Sequence, residues 1–244
     1  MRIFKLCLLG LSSLFIGVLS GYQFAHASRA FFLPIGPVGS PATITIDKPA
    51  NRLDLPSVSA AAQRYRLDAS QSKFIAHAIA GGLLWFKGHD HLVAVREFGG
   101  EAQLTPDSIT PASLEITAKA DSMVETSSVF TEQQKQIIDK ELREIVLEPA
   151  KYPDIIFRST KVTGKSTGNN QYDLSITGDL SLHGTTRQIT IPTKVIVTGN
   201  DLRASGEFSI DRSDFKVTAT SAVHGLVRVR DKVKFTFDIV GHHI

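Results

Sequence analysis

From about residue 65 onward the chain alternates between apolar and polar positions. Leu114, Ile116, Ala118 and Ala120 share one face, with Glu115, Thr117, Lys119 and Asp121 on the other. Tyr172, Leu174, Ile176, Gly178, Leu180 and Leu182 alternate in the same way with Asp173, Ser175, Thr177, Asp179, Ser181 and His183. The pattern recurs in Ile189–Val197, in Leu202–Ile210 and in Val233–Ile239. A period of two sets a dry face against a wet one, which predicts half-buried antiparallel strands. Runs at 65–80, 83–96, 98–105 and 154–163 bring the predicted total to about nine strands, separated by turn-forming stretches such as Thr105-Pro106-Asp107 and Thr167-Gly168-Asn169-Asn170.

One segment departs from the period. Residues 131–145 contain no Gly or Pro, and Ile137, Ile138, Leu142 and Ile145 recur at helical spacing. The spacing predicts a single helix, which Pro149 and Pro153 keep from running into the next strand. A sheet with one dry face either stacks on a second sheet or closes on itself, and alternation alone is compatible with both.

The first 63 residues read differently. Arg2 and Lys5 precede an apolar run from Leu6 to Phe24 that ends in Ala25-His26-Ala27, the pattern of a cleaved secretory signal peptide over residues 1–27. Residues 28–63 carry five prolines (Pro34, Pro37, Pro41, Pro49, Pro56) and no sustained period, as expected of an extended linker with at most a short strand at 43–46. Residues 64–244 form the predicted domain. Export places the protein in the periplasm or outside the cell. Cys7, the one cysteine, lies inside the leader, so the mature chain has no disulfide to stabilise it.

The full chain has 27 basic and 24 acidic residues. The leader holds two of the basic ones, leaving 25 against 24. That balance argues against a nucleic-acid partner, which selects a strongly basic surface. The sequence contains neither a phosphate-binding Gly-x-x-x-x-Gly-Lys loop nor a Gly-x-Ser-x-Gly elbow, so no local motif points to an enzyme.

Three runs resemble the signature stretches of the YceI family: Lys-Tyr-Pro-Asp-Ile-Ile-Phe-Arg-Ser-Thr at 151–160, Gly-Asp-Leu-Ser-Leu-His-Gly-Thr-Thr-Arg at 178–187, and Gly-Glu-Phe-Ser-Ile-Asp-Arg-Ser-Asp-Phe at 206–215. The resemblance spans roughly 64–240 and implies a mainly β fold, a lipocalin-like eight-stranded antiparallel barrel with one short helix inserted. It also implies a long apolar ligand, a polyisoprenoid or an isoprenoid quinone, held in an interior tunnel with no catalytic apparatus and no required cofactor. Two departures stand out. Gln71-Ser72 occupies the place of a common His-Ser pair, and 83–92 is unusually rich in histidine.

In a closed barrel the dry face becomes the lining. The expected lining residues are Phe74, Trp85, Phe157, Leu174, Ile176, Ile191, Phe208, Phe235 and Phe237, which could equally fill a solid core. Arg212, within Asp211-Arg212-Ser213-Asp214, is a candidate for an anionic headgroup at one mouth, although the same four residues read as an ordinary turn. The alternative chemistry is a divalent metal. His89 and His91 would share a face of a regular strand and reach one Zn²⁺, Cu²⁺ or Ni²⁺, with a third ligand drawn from His77, His183 or His224. His242 and His243 read as a solvated tail. The expected partners are thus an apolar lipid and, transiently, a membrane or membrane protein, for a monomer or homodimer.

Overall fold

The computed structural model describes residues 61–106, 108–222 and 226–244. The predicted leader, nearly all of the linker with its strand at 43–46, and His224 lie outside the described residues. Eight long strands follow one another: β1 (Gln63–Gly81), β2 (Phe98–Thr105), β3 (Ile109–Lys119), β4 (Asp154–Gly168), β5 (Gln171–Leu182), β6 (Thr185–Thr198), β7 (Asp201–Asp211) and β8 (Val227–His243). Each pairs antiparallel with the next, and β8 pairs back onto β1, from Tyr65↔His243 to Gly81↔Arg228. The sheet therefore closes as an eight-stranded up-and-down barrel. This closure settles the choice between stacked and closed sheets, and it removes free edges from the wall. All eight strands and the closing pair lie within 63–243.

The alternation sorts as predicted. Along β5 every second residue from Tyr172 to Leu182 points inward and is buried or, at Gly178, packed against the Phe157 ring. Gly206 on β7 has the same function: a Cβ there would stand 2.8 Å from Cζ of Phe237, so the missing side chain makes room for an inward ring.

The predicted strand at 83–96 is the main exception. After Gly82 the chain makes a 3₁₀ turn at Trp85–Lys87, and only His91–Val95 is extended. Gly82 has φ +89°, and a Cβ there would lie 2.5 Å from the Leu226 carbonyl oxygen, so the backbone leaves β1 in a conformation that suits glycine. The short strand His91–Val95 pairs with the second half of β1, and Met123–Glu125 pairs with it in turn, extending the wall at one end. The first half of β1 pairs instead with β2, and β1 changes neighbours around an irregularity between Asp68 and Lys73.

The single α-helix among the described residues is α1 (Glu132–Glu141). Thr131 caps it reciprocally with Gln134: the Gln134 N–H donates to Thr131 Oγ1 at 3.3 Å, and the Thr131 N–H donates to Gln134 Oε1 at 2.8 Å. Its last turn widens into a π turn over Leu142–Val146, closed by the Leu147 N–H on the Leu142 carbonyl at 2.8 Å. The inward face is Ile138, Leu142 and Val146 rather than the predicted set, because Ile137 and Ile145 lie on the outer shoulder, each nearly half exposed.

Candidate functional site

The barrel is hollow. Phe74, Phe208, Phe235 and Phe237 point into it yet remain only partly buried, because there is open space on their inner side. Two chambers, of about 130 and 180 Å³, share Phe74, Ile155, Leu180 and Phe208 as common walls. An apolar cavity of ~150 Å³ stays dry and holds a benzene-sized ligand, so two such spaces end to end suit an elongated apolar molecule.

The waist between the chambers is built of rings. Phe208 stacks on Phe235 with centroids 5.0 Å apart and planes 10° from parallel, while Phe74 meets Phe98 and Phe235 at 6.1 Å. These contacts fix aromatic side chains across four strands, as expected for tilted and edge-to-face pairs.

The chambers differ in chemistry. The first is lined almost wholly by aliphatic and aromatic side chains, including Phe157, Leu174, Ile176 and Ile191, with Gln103, Ser113 and Thr193 as its polar members. The second is roofed by the helix through Ile138, Leu142 and Val146, and it alone reaches charged groups: His91, Glu141 and Arg212, with Thr220 beside them. Eight of the nine expected lining residues thus come together around one interior, and Arg212 stands at its polar end.

The ninth, Trp85, does not. It sits on the 3₁₀ turn at 57% exposure, outside the barrel, because the strand expected there breaks at Gly82. The apolar character of Leu83-Leu84-Trp85-Phe86 that suggested a buried strand belongs to a surface loop.

At the polar end His91 donates through Nδ1 to Glu125 Oε2 at 2.8 Å. The Glu125 side chain is fully enclosed, and its Oε1 accepts the backbone N–H of Leu92, Thr126 and Ser127 at 3.1, 2.9 and 2.7 Å. Burial pushes the Glu125 carboxyl up, but the bonds from His91 and the backbone outweigh it and leave the group below its usual range. Glu141 is shifted the other way: burial raises its carboxyl against the opposing bond to Thr220. Arg212 Nη1 donates to the Val217 carbonyl at 2.8 Å, and its Nε is buried without a hydrogen-bond partner among the described residues.

Among the described residues the histidine pair does not form the predicted metal constellation, and His224 lies outside them. His89 precedes the strand and meets the edge of the Phe130 ring at 5.8 Å, while His91 stacks on the same ring at 5.2 Å. Asp90 bonds His77 at 3.3 Å, and His183 bonds Glu148 at 2.8 Å. Among the described residues no three His, Cys, Asp or Glu side chains converge as metal ligands. Glu125, Glu141 and Thr220 complete the polar end but carry no local sequence signal. Glu125 ends an unremarkable Met-Val-Glu run, and Glu141 sits in a helix rich in charge.

Known proteins resemble this arrangement. By fold, the chain is similar to BcnA of Burkholderia cenocepacia (TM-score 0.56, 21% identity, 71% of this chain and 98% of that one). It is also similar to a polyisoprenoid binding domain from Saccharophagus degradans implicated in plant cell wall breakdown (TM-score 0.50, 13% identity, 74% and 98%). By sequence, it is 36% identical over 146 residues to Protein YceI of Escherichia coli O17:K52:H18, covering 59% of this chain and 67% of that protein. It is 34% identical over 107 residues to a UPF0312 protein of Vibrio campbellii, covering 41% and 53%. The chain thus spans about two thirds and about half of the lengths of these two relatives. The profile of the YceI-like domain matches residues 65–241, from the first strand of the barrel wall to its last, and the chain belongs to that family.

Proposed function

We propose that this protein binds one long apolar lipid, a polyisoprenoid or an isoprenoid quinone, with its tail in the two chambers and its headgroup at the polar end. The carrying observation is the asymmetry of the interior: two neighbouring chambers lined by aromatic and aliphatic side chains, of which only one reaches charged groups. The polyisoprenoid binding domain of Saccharophagus degradans, which shares the fold, supports this reading. Each methylene taken from water contributes ~0.8 kcal/mol, so a chain of tens of carbons is held strongly without any directional contact. Arg212, Thr220 and His91 then orient the headgroup. Export through cleavage after Ala27 would place this carrier in the periplasm, where a lipid crossing water needs such a container.

Native mass spectrometry of the protein from its own host, followed by organic extraction, tests the reading. A prenyl or quinone mass at near-unit stoichiometry is the expected result, and Leu174→Trp with Ile191→Trp, which fill the first chamber, should abolish it. Protein that is empty as isolated and takes up no added prenyl lipid would overturn it.

A further inference from the structure

The loop that defeated the sequence prediction is itself a built feature. Leu83, Trp85 and Phe86 are 76%, 57% and 63% exposed within four residues, whereas large apolar side chains at a surface are ordinarily scattered singly. The loop is nonetheless held in place. The Leu84 N–H donates to the Leu226 carbonyl at 2.9 Å, the Lys87 N–H to Leu84 at 2.9 Å, and the Gly88 N–H to Trp85 at 3.0 Å. The Trp85 and Phe86 rings meet edge to face at 6.3 Å.

Beside this loop lies a recess of about 360 Å³, lined by Trp85, Arg212, Arg228 and Arg230 together with Asp231. Asp231 is engaged by the Ser213 N–H and hydroxyl, at 3.0 and 2.6 Å, and forms an ion pair with Arg212 Nε at 3.9 Å. Lys87, Arg228 and Arg230 have no acidic partner within ion-pair distance among the described residues. The local charge is positive although the chain as a whole is nearly neutral. Arg212 and Val229 line both this recess and the polar chamber, so the loop stands at the mouth of the interior.

We infer that this end of the barrel docks on an anionic lipid bilayer: Leu83, Trp85 and Phe86 enter the headgroup layer, and the arginine-lined recess receives a lipid phosphate. Exposed aromatic and aliphatic side chains beside unpaired cations are the chemistry that an anionic membrane surface selects. Docking here turns the polar mouth toward the membrane. The inference rests on the loop and recess, and it holds whatever the chambers contain.

Trp85 is the only tryptophan of the chain, so its fluorescence reports on this loop alone. The chain from Ser28 onward, which retains the whole barrel, is titrated with vesicles of phosphatidylglycerol and phosphatidylethanolamine, and separately with phosphatidylcholine vesicles. The expected result is a saturable blue shift with the anionic vesicles and little with the neutral ones. Leu83→Ser combined with Phe86→Ser weakens binding by roughly tenfold or more through lost apolar contact. Arg228→Glu weakens it comparably, and ~1 M salt suppresses what remains of the charge contribution. These side chains are exposed, so unchanged thermal unfolding of the variants verifies the fold. Unmoved Trp85 emission, equal binding to neutral vesicles, or binding indifferent to the loop and Arg228 variants would each overturn the inference. Extraction of cargo from the same samples reports separately on the lipid-carrier reading.

Discussion

Glu141, which lines the second chamber, and Glu125, enclosed behind His91, respond to pH in opposite senses. Glu125 titrates below its ordinary range in the folded protein, so it contributes stability above that range which is lost as pH falls through its folded-state pKa. Glu125→Ala leaves three backbone N–H groups and His91 without their acceptor. It should cost ~3 kcal/mol at neutral pH in urea unfolding, and measurably less once the pH has fallen through the folded-state pKa of the parent carboxyl. Glu141 is raised, so the folded state favours its neutral form, and its contribution is lost as pH rises through its folded-state pKa. Glu141→Gln should raise the melting temperature at pH 8 and leave it unchanged at pH 4. His242 supplies a third case. Read as a solvated tail, it instead lies in β8 and bonds Asp201 at 2.8 Å and Asp68 at 3.3 Å, which raises its pKa, while Ser70 foremost among several bonds holds Asp68 down at about 2. NMR titration should find His242 protonated above the ordinary imidazole range, and Asp201→Asn should lower it. The pairings of Glu125 with His91, of Glu141 with Thr220 and of His242 with Asp68 and Asp201 were not legible, because each joins residues remote in sequence; sequence shows a residue's type and its face, not what faces it.

At the scale of elements, strands with strict alternation were legible in their facing, since a period of two leaves each side chain one destination, although runs read at Ile189–Val197 and Val233–Ile239 extend to Thr185–Thr198 and Val227–His243. Mixed segments were not. The run 83–96 has the composition of a strand, but Gly82 turns the chain out of the sheet, and the apolar residues that follow remain outside. The helix was legible in extent but not in facing, because its π turn shifts the register of its last residues toward Val146. Its attachment is also non-local: the Glu125 N–H donates to Asp139 Oδ1 at 2.7 Å, joining the helix to the strand that carries the buried carboxylate. Asp139→Ala should remove ~1 kcal/mol and speed amide exchange over 132–146 while the barrel strands stay protected, which would identify the helix as a separately opening roof.

For the whole molecule, alternation implied a dry interior but not whether that interior was filled. Solid and hollow barrels have the same periodicity, and the difference lies in how far apart closure holds the opposing rings. A hollow apolar interior leaves the unliganded protein short of contacts that a bound chain supplies. Protein stripped of lipid should therefore melt lower, and adding lipid back at ~100 times its dissociation constant should restore about 2.7 kcal/mol, read as a concentration-dependent shift in calorimetry.

Closure through β1 and β8 has a further consequence, for the order in which the molecule is made. The first strand of the wall finds its second neighbour only in the last, and the Ile244 N–H completes the seam on the Arg64 carbonyl at 3.0 Å. A growing chain therefore holds an open, apolar-faced sheet with two raw edges until its final residues arrive. Contacts so remote in sequence make folding slow, on the order of milliseconds to seconds. The unfinished chain is thus the state most exposed to aggregation, and a stop codon anywhere before β8 should yield insoluble protein rather than a smaller barrel.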